Sequence, residues 1–446
     1  MDRKGIKEYI YEQIIPQYHA FDSAHREDHA LSVMNQAIKL AEDRAASDAD
    51  IDMDMLLTAA ACHDLGLVNG RENHHLDSGA IIRSDHNLKK WFSEEQIETI
   101  AQAAEDHRAS GKSVPRSIYG MIVAEADRVI DAETIIQRTI RFGMDRYPEL
   151  NAEGHMERAL AHLKEKYGRG GYLKLWIPWS DNSVKLSYLQ DLIEDESAIK
   201  EEIRIVYSME NSTDPMGRAI YDYHNGGCAD TLVVHSPMFE DDEIPVNMLF
   251  REFDEMPHLE QTALEMAKGR ILDVGAAAGC HSLALQKMGK TSVAIDISPF
   301  SVKVMKQRGL DARMKDFYDK DFNETFDTIL LLMNGTGIIG TIDNVPSFFA
   351  RLKQILNPGG CVLLDSSDLC YLFEEEDGSV MMDLAADYYG QLVYQMEYKG
   401  IKGEVFDWLY LDFDTLAFFA EENGFTAECV AEGEHYDYLA ILRPAE

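Results

Sequence analysis

Residues 271–282 read ILDVGAAAGCHS. The apolar run Ile271, Leu272 and Val274 leads into a turn of small residues, and a helix is expected from about His281. Small side chains let backbone approach a ligand closely, and a helix N-terminus favours negative charge. Such a turn is a weak signal alone, and its neighbours strengthen it. Twenty-three residues after Asp273, a second run (291–298, TSVAIDIS) ends in Asp296, an acid suited to the two hydroxyls of a ribose. Asp316 closes the next segment (312–319, ARMKDFYD), and a fourth run ends in Met333, Asn334 and Gly335. Residues 356–365 (LNPGGCVLLD) then set a Pro-Gly-Gly turn before a fifth run. Short apolar runs alternating with helical segments predict a doubly wound parallel sheet with crossover helices.

Outward from this core the chain changes character. Residues 1–205 read as helix after helix, with apolar residues at three- and four-residue spacing and almost no strand-like alternation. The polar stretch 208–218 (SMENSTDPMGR) carries breaker signals and is expected to link a helical domain at 1–207 to an α/β domain at 219–446. Residues 219–268 read as a helical lead-in to the second domain. The segments 404–413 (EVFDWLYLDF) and 435–442 (HYDYLAIL) alternate as the strands of a hairpin-like sheet edge would.

The 446 residues hold 42 Lys and Arg against 79 Asp and Glu, a formal charge of −37. A hydrophobic content of 46% with 27% charged residues is that of a folded chain of two or three domains. So negative a body repels phosphate backbones and anionic membrane surfaces, so neither nucleic acid nor membrane is an expected partner. An anionic substrate would need a local cation, which a metal can supply. Six scattered cysteines, no apolar signal-peptide core in MDRKGIKEYIYEQ and no apolar run of bilayer-spanning length predict a reducing, cytoplasmic setting.

In the helical half, four polar residues fall on apolar faces. His29 shares a face with Val33 and Ala37, His63 follows Leu56 and Ala60, Asp64 is its neighbour, and Asp127 lies between Val123 and Ile130. An inward carboxylate is costly unless paired or bound to a metal. Imidazoles with carboxylates suit Mn, Fe, Mg, Zn, Ni or Co, and open coordination positions allow phosphoryl activation. The motifs 22–33 (DSAHREDHALSV), 61–66 (ACHDLG), 105–110 (EDHRAS) and 124–129 (AEADRV) resemble the HD-domain metal-dependent phosphohydrolases over roughly residues 5–145. The resemblance implies His29, His63, Asp64 and Asp127 as metal ligands, with Asp64 and His107 as catalytic candidates. His25, one turn before His29, competes as first ligand. His74, His75 and His107 would serve a second metal, a phosphate or a hydrogen bond, and Arg108, Lys112 and Arg116 could neutralise phosphate.

In the other half, the D-x-G-x-x-x-G turn, the two following acids and the Pro-Gly-Gly turn resemble class I S-adenosylmethionine-dependent methyltransferases over roughly residues 215–446. This implies a methionine-side loop of Asp273, Gly275, Ala277 and Gly279, with Ala277 standing where the family has its middle glycine. Asp296, with Ile297, would hold the ribose; Asp316, with Phe317, would approach the adenine; Asn334 would sit at the sulfonium end. A dinucleotide-binding dehydrogenase is the alternative that the Pro-Gly-Gly turn and C-terminal strands disfavour. Residues 334–337 (NGTG) are not the Asn-Pro-Pro-aromatic loop of amino-methylating DNA enzymes. The resemblance also implies that the 219–268 lead-in covers the cofactor as a helical lid, whose aromatics Tyr221, Tyr223, His224, Phe239, Phe250 and Phe253 would pack or face an acceptor. The expected function is a bifunctional enzyme, phosphohydrolase and methyltransferase, acting on small molecules such as a nucleotide or phosphorylated metabolite. A helical half that binds metal or ligand without turnover and regulates the methyltransferase is the competing reading.

Overall fold

The structure is a computed structural model that describes residues 3–21, 26–43, 51–108, 113–227, 229–373 and 388–445. Two units emerge, Met1–Tyr207 and Ser208–Glu446.

The first unit is helical. α1 (Arg3–Tyr9) is followed by α2 (Glu27–Glu42), α3 (Met53–Cys62), α4 (His74–Ser84), α5 (Glu94–Asp106) and α6 (Ile118–Ala126). Local sequence starts several of these. The Asp52 side chain accepts from the Asp54 and Met55 amides at the head of α3, Ser93 and Gln96 form a reciprocal capping box on α5, and Ser117 caps α6. α3 lies at the centre, with every residue from Met55 to Cys62 buried. α2 buries Ala30, Val33, Met34, Ala37 and Leu40 on the single stripe that its periodicity predicts. Each large apolar side chain buried in this core contributes roughly 1.5–3 kcal/mol. A second cluster, centred on Ile136, Leu163, Leu189 and Ile203, joins α7 (Ala132–Arg146), α8 (Ala152–Tyr167), α9 (Asn182–Glu194) and α10 (Glu196–Asn211).

In the second unit, α11 (Pro215–Gly226), β1 (Leu232–His235), β2 (Asp242–Ile244) and α12 (His258–Met266) precede the crossover region. There β3 (Arg270–Val274), α13 (Cys280–Lys287), β4 (Thr291–Asp296), α14 (Pro299–Gln307), β5 (Ala312–Met314), β6 (Phe326–Leu331), α15 (Val345–Ile355) and β7 (Leu356–Ser367) alternate. β8 (Gln391–Tyr398), β9 (Ile401–Leu409), α16 (Phe413–Glu422), β10 (Phe425–Glu432) and β11 (Asp437–Pro444) complete it. The large sheet runs β10-β11-β7-β6-β3-β4-β5, parallel from β7 to β5 and antiparallel at β11 and β10. Its strand order reverses between β3 and β6, where doubly wound sheets open a crevice at the carboxyl ends of the strands.

Three expectations change. The polar stretch 208–218 is helical up to Asn211, and α11 starts at Pro215 behind an Asp214 cap, so only a few residues separate the helices. The 219–268 lead-in is not all helix: β1 and β2 join β8 and β9 in a separate antiparallel sheet, ordered β2-β1-β8-β9. Strands of four and three residues are too short to show a period, and β1's partner β8 lies some 160 residues downstream. Segments 404–413 and 435–442 are strands in different sheets: β9 pairs with β8, and β11 pairs with β7 and β10. Alternation reports a half-buried strand and carries no record of its partner.

Candidate functional sites

In the helical unit, side chains from the start of α2, the end of α3, the head of α4, the end of α5 and the end of α6 meet. His63 Nε2 lies 3.3 Å from His29 Nε2, 3.3 Å from Asp64 Oδ2 and 3.8 Å from Asp127 Oδ1. His29 Nε2 lies 3.3 Å from Asp127 Oδ1 and 3.6 Å from Asp64 Oδ2. The other oxygen of Asp64 faces a second group: Oδ1 is 3.4 Å from His107 Nε2 and 3.5 Å from His74 Nε2, and those two nitrogens are 3.2 Å apart. Asp64 is thus shared by two triads, His29–His63–Asp64 and Asp64–His74–His107.

Backbone carbonyls aim three of the rings. Nδ1–H of His63 donates to Ala60 O at 2.8 Å, that of His74 to Arg71 O at 2.8 Å and that of His107 to Ala104 O at 2.5 Å. A carbonyl only accepts, so each Nδ1 carries a proton and, in the neutral ring, each Nε2 presents its lone pair inward. Tyr18, fully buried, donates its hydroxyl to Ala61 O at 2.8 Å and accepts from the Asp64 amide at 3.3 Å, which ties down the turn bearing both central residues. Gly66 serves the same turn by absence of a side chain. A Cβ there would lie 2.0 Å from His74 O and 2.5 Å from the Ser78 amide, so only glycine lets the head of α4 close on the centre.

Burial works against charge at these residues, and at Asp64, Asp127 and His29 their partners outweigh it. Despite burial, His29, His63 and His107 draw the Asp64 carboxyl well below the ordinary range, and His29 and His63 help bring Asp127 to about 2. Burial likewise disfavours charge on His29, yet Asp127 and Asp64 push its pKa up to about 9. His74 is pushed down by burial, with His107 and Arg108 adding to it.

Four expected ligands, His29, His63, Asp64 and Asp127, are therefore brought together. His107 joins His74 and Asp64 through its Nε2, at 3.2 and 3.4 Å. His74, one of three histidines left open in function, is in that set; His75 is beside it, its ring centroid 5.6 Å from that of His74. Arg116 is spent on Glu105 and Asp106, at 2.6 and 2.9 Å. His25 and Lys112 lie outside the described residues.

The second unit's crevice is built mainly from backbone. Gly275 (φ +66°) and Gly279 (φ +80°) adopt left-handed conformations, and so does Ala277 (φ +51°) in the glycine's place. A Cβ on Gly279 would meet Leu310 at 2.5 Å, whereas one on Gly275 would meet nothing within 4 Å, so that side of the turn is open. Asp296, at the end of β4, accepts from the Ala277 amide and the Ser298 amide, each at 2.8 Å. Burial pushes its pKa up to about 7 despite those two bonds. Ile297 beside it is 72% exposed, a large apolar side chain at the rim. Asp316 is exposed at the end of β5 and receives the Tyr318 amide at 2.7 Å.

Three expected cofactor contacts are occupied within the fold. Asp273 is buried and accepts from the Ser282 hydroxyl at 2.7 Å, which fastens α13 to β3. The Phe317 ring is core, packed on Phe348 and Tyr318. Asn334 (φ +61°) donates to Leu409 O at 3.3 Å and accepts from Ser366 at 3.1 Å. The small sheet thereby touches the end of β6: Leu409 O also accepts from Thr336 at 2.9 Å, and the Trp408 ring fills the space a Cβ on Gly337 would need.

Comparison with known proteins bears on both units. A family model for the HD domain matches residues 26–131, and one for a methyltransferase domain matches residues 271–360. A solved S-adenosylmethionine-dependent methyltransferase from Bacteroides fragilis, in complex with S-adenosyl-L-homocysteine, is 58% identical, with a TM-score of 0.50 over 52% of this chain and 96% of its own. A cypemycin N-terminal methyltransferase from a Streptomyces species is 29% identical over 102 residues, 22% of this chain and 42% of that protein. A ubiquinone biosynthesis O-methyltransferase from Xanthomonas euvesicatoria pv. vesicatoria is 28% identical over 116 residues, 24% of this chain and 46% of that protein. The chain spans less than half the length of these two curated relatives. It carries an HD domain in its helical unit, and its sheet-bearing unit belongs to the S-adenosylmethionine-dependent methyltransferases.

Proposed function

We propose that the helical unit is a metal-dependent phosphohydrolase whose centre holds two divalent ions, and that the second unit methylates a small molecule. One observation carries the first half. His74 and His107 each give their Nδ1 proton to a carbonyl, yet their Nε2 lone pairs face each other at 3.2 Å. Two lone pairs at that distance repel unless a positive charge, a proton or a metal ion, lies between them, and a centre of six such donors suits the ion. Ligand atoms about 2.1 Å from one ion are roughly 3.0–3.4 Å apart at octahedral or tetrahedral angles, close to the spacing in both triads.

His29, His63, Asp64 and Asp127 would hold one ion and Asp64, His74 and His107 the other. Such ions polarise phosphoryl oxygen and supply hydroxide near neutral pH. The chain's own part is orientation: three carbonyls fix the imidazole tautomers, and Tyr18 holds the Asp64 amide. In the methyltransferase unit, the 275–279 turn would approach the methionine end of the cofactor. Asp296 would accept from the ribose hydroxyls and Ile297 would cover the nucleoside edge. The acceptor would enter where the small sheet meets Asn334, and alignment with the sulfonium supplies most of the acceleration. A nucleotide or other phosphorylated metabolite is the substrate class for the first activity, and a cytoplasmic location goes with both.

The test is metal content, followed by hydrolysis of a phosphomonoester and nucleotide panel with Mn, Mg, Ni or Co. Asp64→Ala should abolish turnover; unchanged turnover refutes the hydrolase. Calorimetry with S-adenosylmethionine tests the second site, and an unchanged affinity in Asp296→Ala refutes the ribose assignment.

A further inference from the structure

Most basic side chains around the second triad are already satisfied. Arg83 is held by Glu98 and Glu105 at 2.7 and 2.5 Å, and Arg116 by Glu105 and Asp106. Arg108 differs. It directly follows the triad residue His107 and has no carboxylate partner among the described residues. Among the described residues, one of its five N–H donors is used, to Glu72 O at 2.9 Å. That bond to Glu72, with His107 Nε2 3.2 Å from His74 Nε2, sets Arg108 against the head of α4, which carries His74 and His75.

His75 makes a matching case. It directly follows the triad residue His74, and its Nδ1 is closed to solvent with no hydrogen-bond partner among the described residues. Leaving such an atom unpaired costs roughly 1–3 kcal/mol. Each histidine of the second triad is thus followed by a side chain with polar nitrogens to spare, in a chain whose charge of −37 repels anions at range.

We propose that His75 and Arg108 form an anion subsite beside the His74–His107 side of the centre. It takes a second anionic group of the substrate, so the preferred substrate is a phosphoryl compound with a further phosphate, as in a nucleoside diphosphate, and not a simple monoester. The site for the first phosphate rests on the phosphohydrolase reading. The guanidinium is planar and always charged, which suits two-point contact with a phosphate. The His75 ring is only partly buried, and turning it would bring the unpaired Nδ1 to the anion as a directional contact from the neighbouring helix.

The test is calorimetry on the full chain loaded with Mn²⁺, using pyrophosphate and inorganic phosphate as probes. Arg108→Ala and His75→Ala should each weaken pyrophosphate roughly tenfold or more, as loss of a hydrogen bond to a charged group does. Phosphate affinity should stay within about twofold, manganese content should be unchanged, and Arg108→Lys should recover part of the loss. Equal weakening of both anions, no weakening, or a loss that follows manganese content overturns the subsite. If His75→Ala does not fold, the Arg108 pair decides the matter alone. Pyrophosphate selectivity without hydrolysis of any ester refutes the hydrolase and keeps the subsite; Asp64-dependent hydrolysis without that selectivity does the reverse.

Discussion

The two candidate sites are built from opposite materials. In the helical unit, six side chains converge from five helix ends, and backbone serves to orient them. In the sheet unit, backbone at the strand ends forms the crevice, and most side chains near it hold the turns in place. A side-chain site concentrates its chemistry in single residues, so one substitution can remove it. A backbone site is spread over a loop, so single substitutions should weaken it by degrees.

The largest expected effect is Asp64→Ala. Both triads lose the residue they share, so ion content and hydrolysis should fall by a factor of about a thousand or more, while S-adenosylmethionine affinity stays unchanged; metal analysis and calorimetry on one preparation check both. Next, Gly66→Ala drives a Cβ to 2.0 Å from His74 O. It should cost about 3 kcal/mol and lower ion occupancy, read as a fall in the melting temperature of the helical unit. Asp296→Ala should weaken S-adenosylhomocysteine binding roughly tenfold to a hundredfold without disturbing metal content, since it removes one acceptor of charge-assisted hydrogen bonds.

A pH titration sharpens the contrast further. With its pKa near 7, Asp296 is mostly protonated at pH 6 and mostly ionised at pH 8. Ribose hydroxyls donate to the ionised form, so S-adenosylhomocysteine should bind more tightly as pH rises through 7, and Asp296→Asn should flatten the profile. A flat profile in the unsubstituted protein would show that Asp296 does not meet the ribose. The smallest effect belongs to Ala277→Gly. Relief of the left-handed conformation is worth about 1 kcal/mol and added chain entropy returns much of it, so thermal unfolding should shift by only a few degrees.

Parts of each site could be read from residues alone. His29, His63, Asp64 and Asp127 stand out because each interrupts an apolar stripe, and desolvation makes such an interruption costly. His74 gives no comparable signal. It opens α4 among exposed neighbours, Glu72 and Asn73, and joins the centre only because Gly66 lets that helix approach. Tyr18 is invisible in the same way, because its partners are backbone atoms more than forty residues away. The glycine turn announces its crevice through backbone freedom, which is a local property. The bond from Ser282 to Asp273 depends on how α13 packs, and the packing of the Phe317 ring on Phe348 depends on a helix thirty residues on, so neither contact is legible locally. The small sheet escaped for want of length: four residues of β1 cannot declare a period, and the hairpin they need lies far along the chain.

The double role of Asp64 makes the two ions compete as the helical unit loads. A carboxylate with one negative charge would serve two dications, so whichever ion arrives first uses up attraction that the second then lacks. Titration with a divalent metal should give two steps, the later one weaker and more sensitive to salt. A preparation at sub-stoichiometric metal would be a mixture of singly filled molecules, each with one half of the centre assembled.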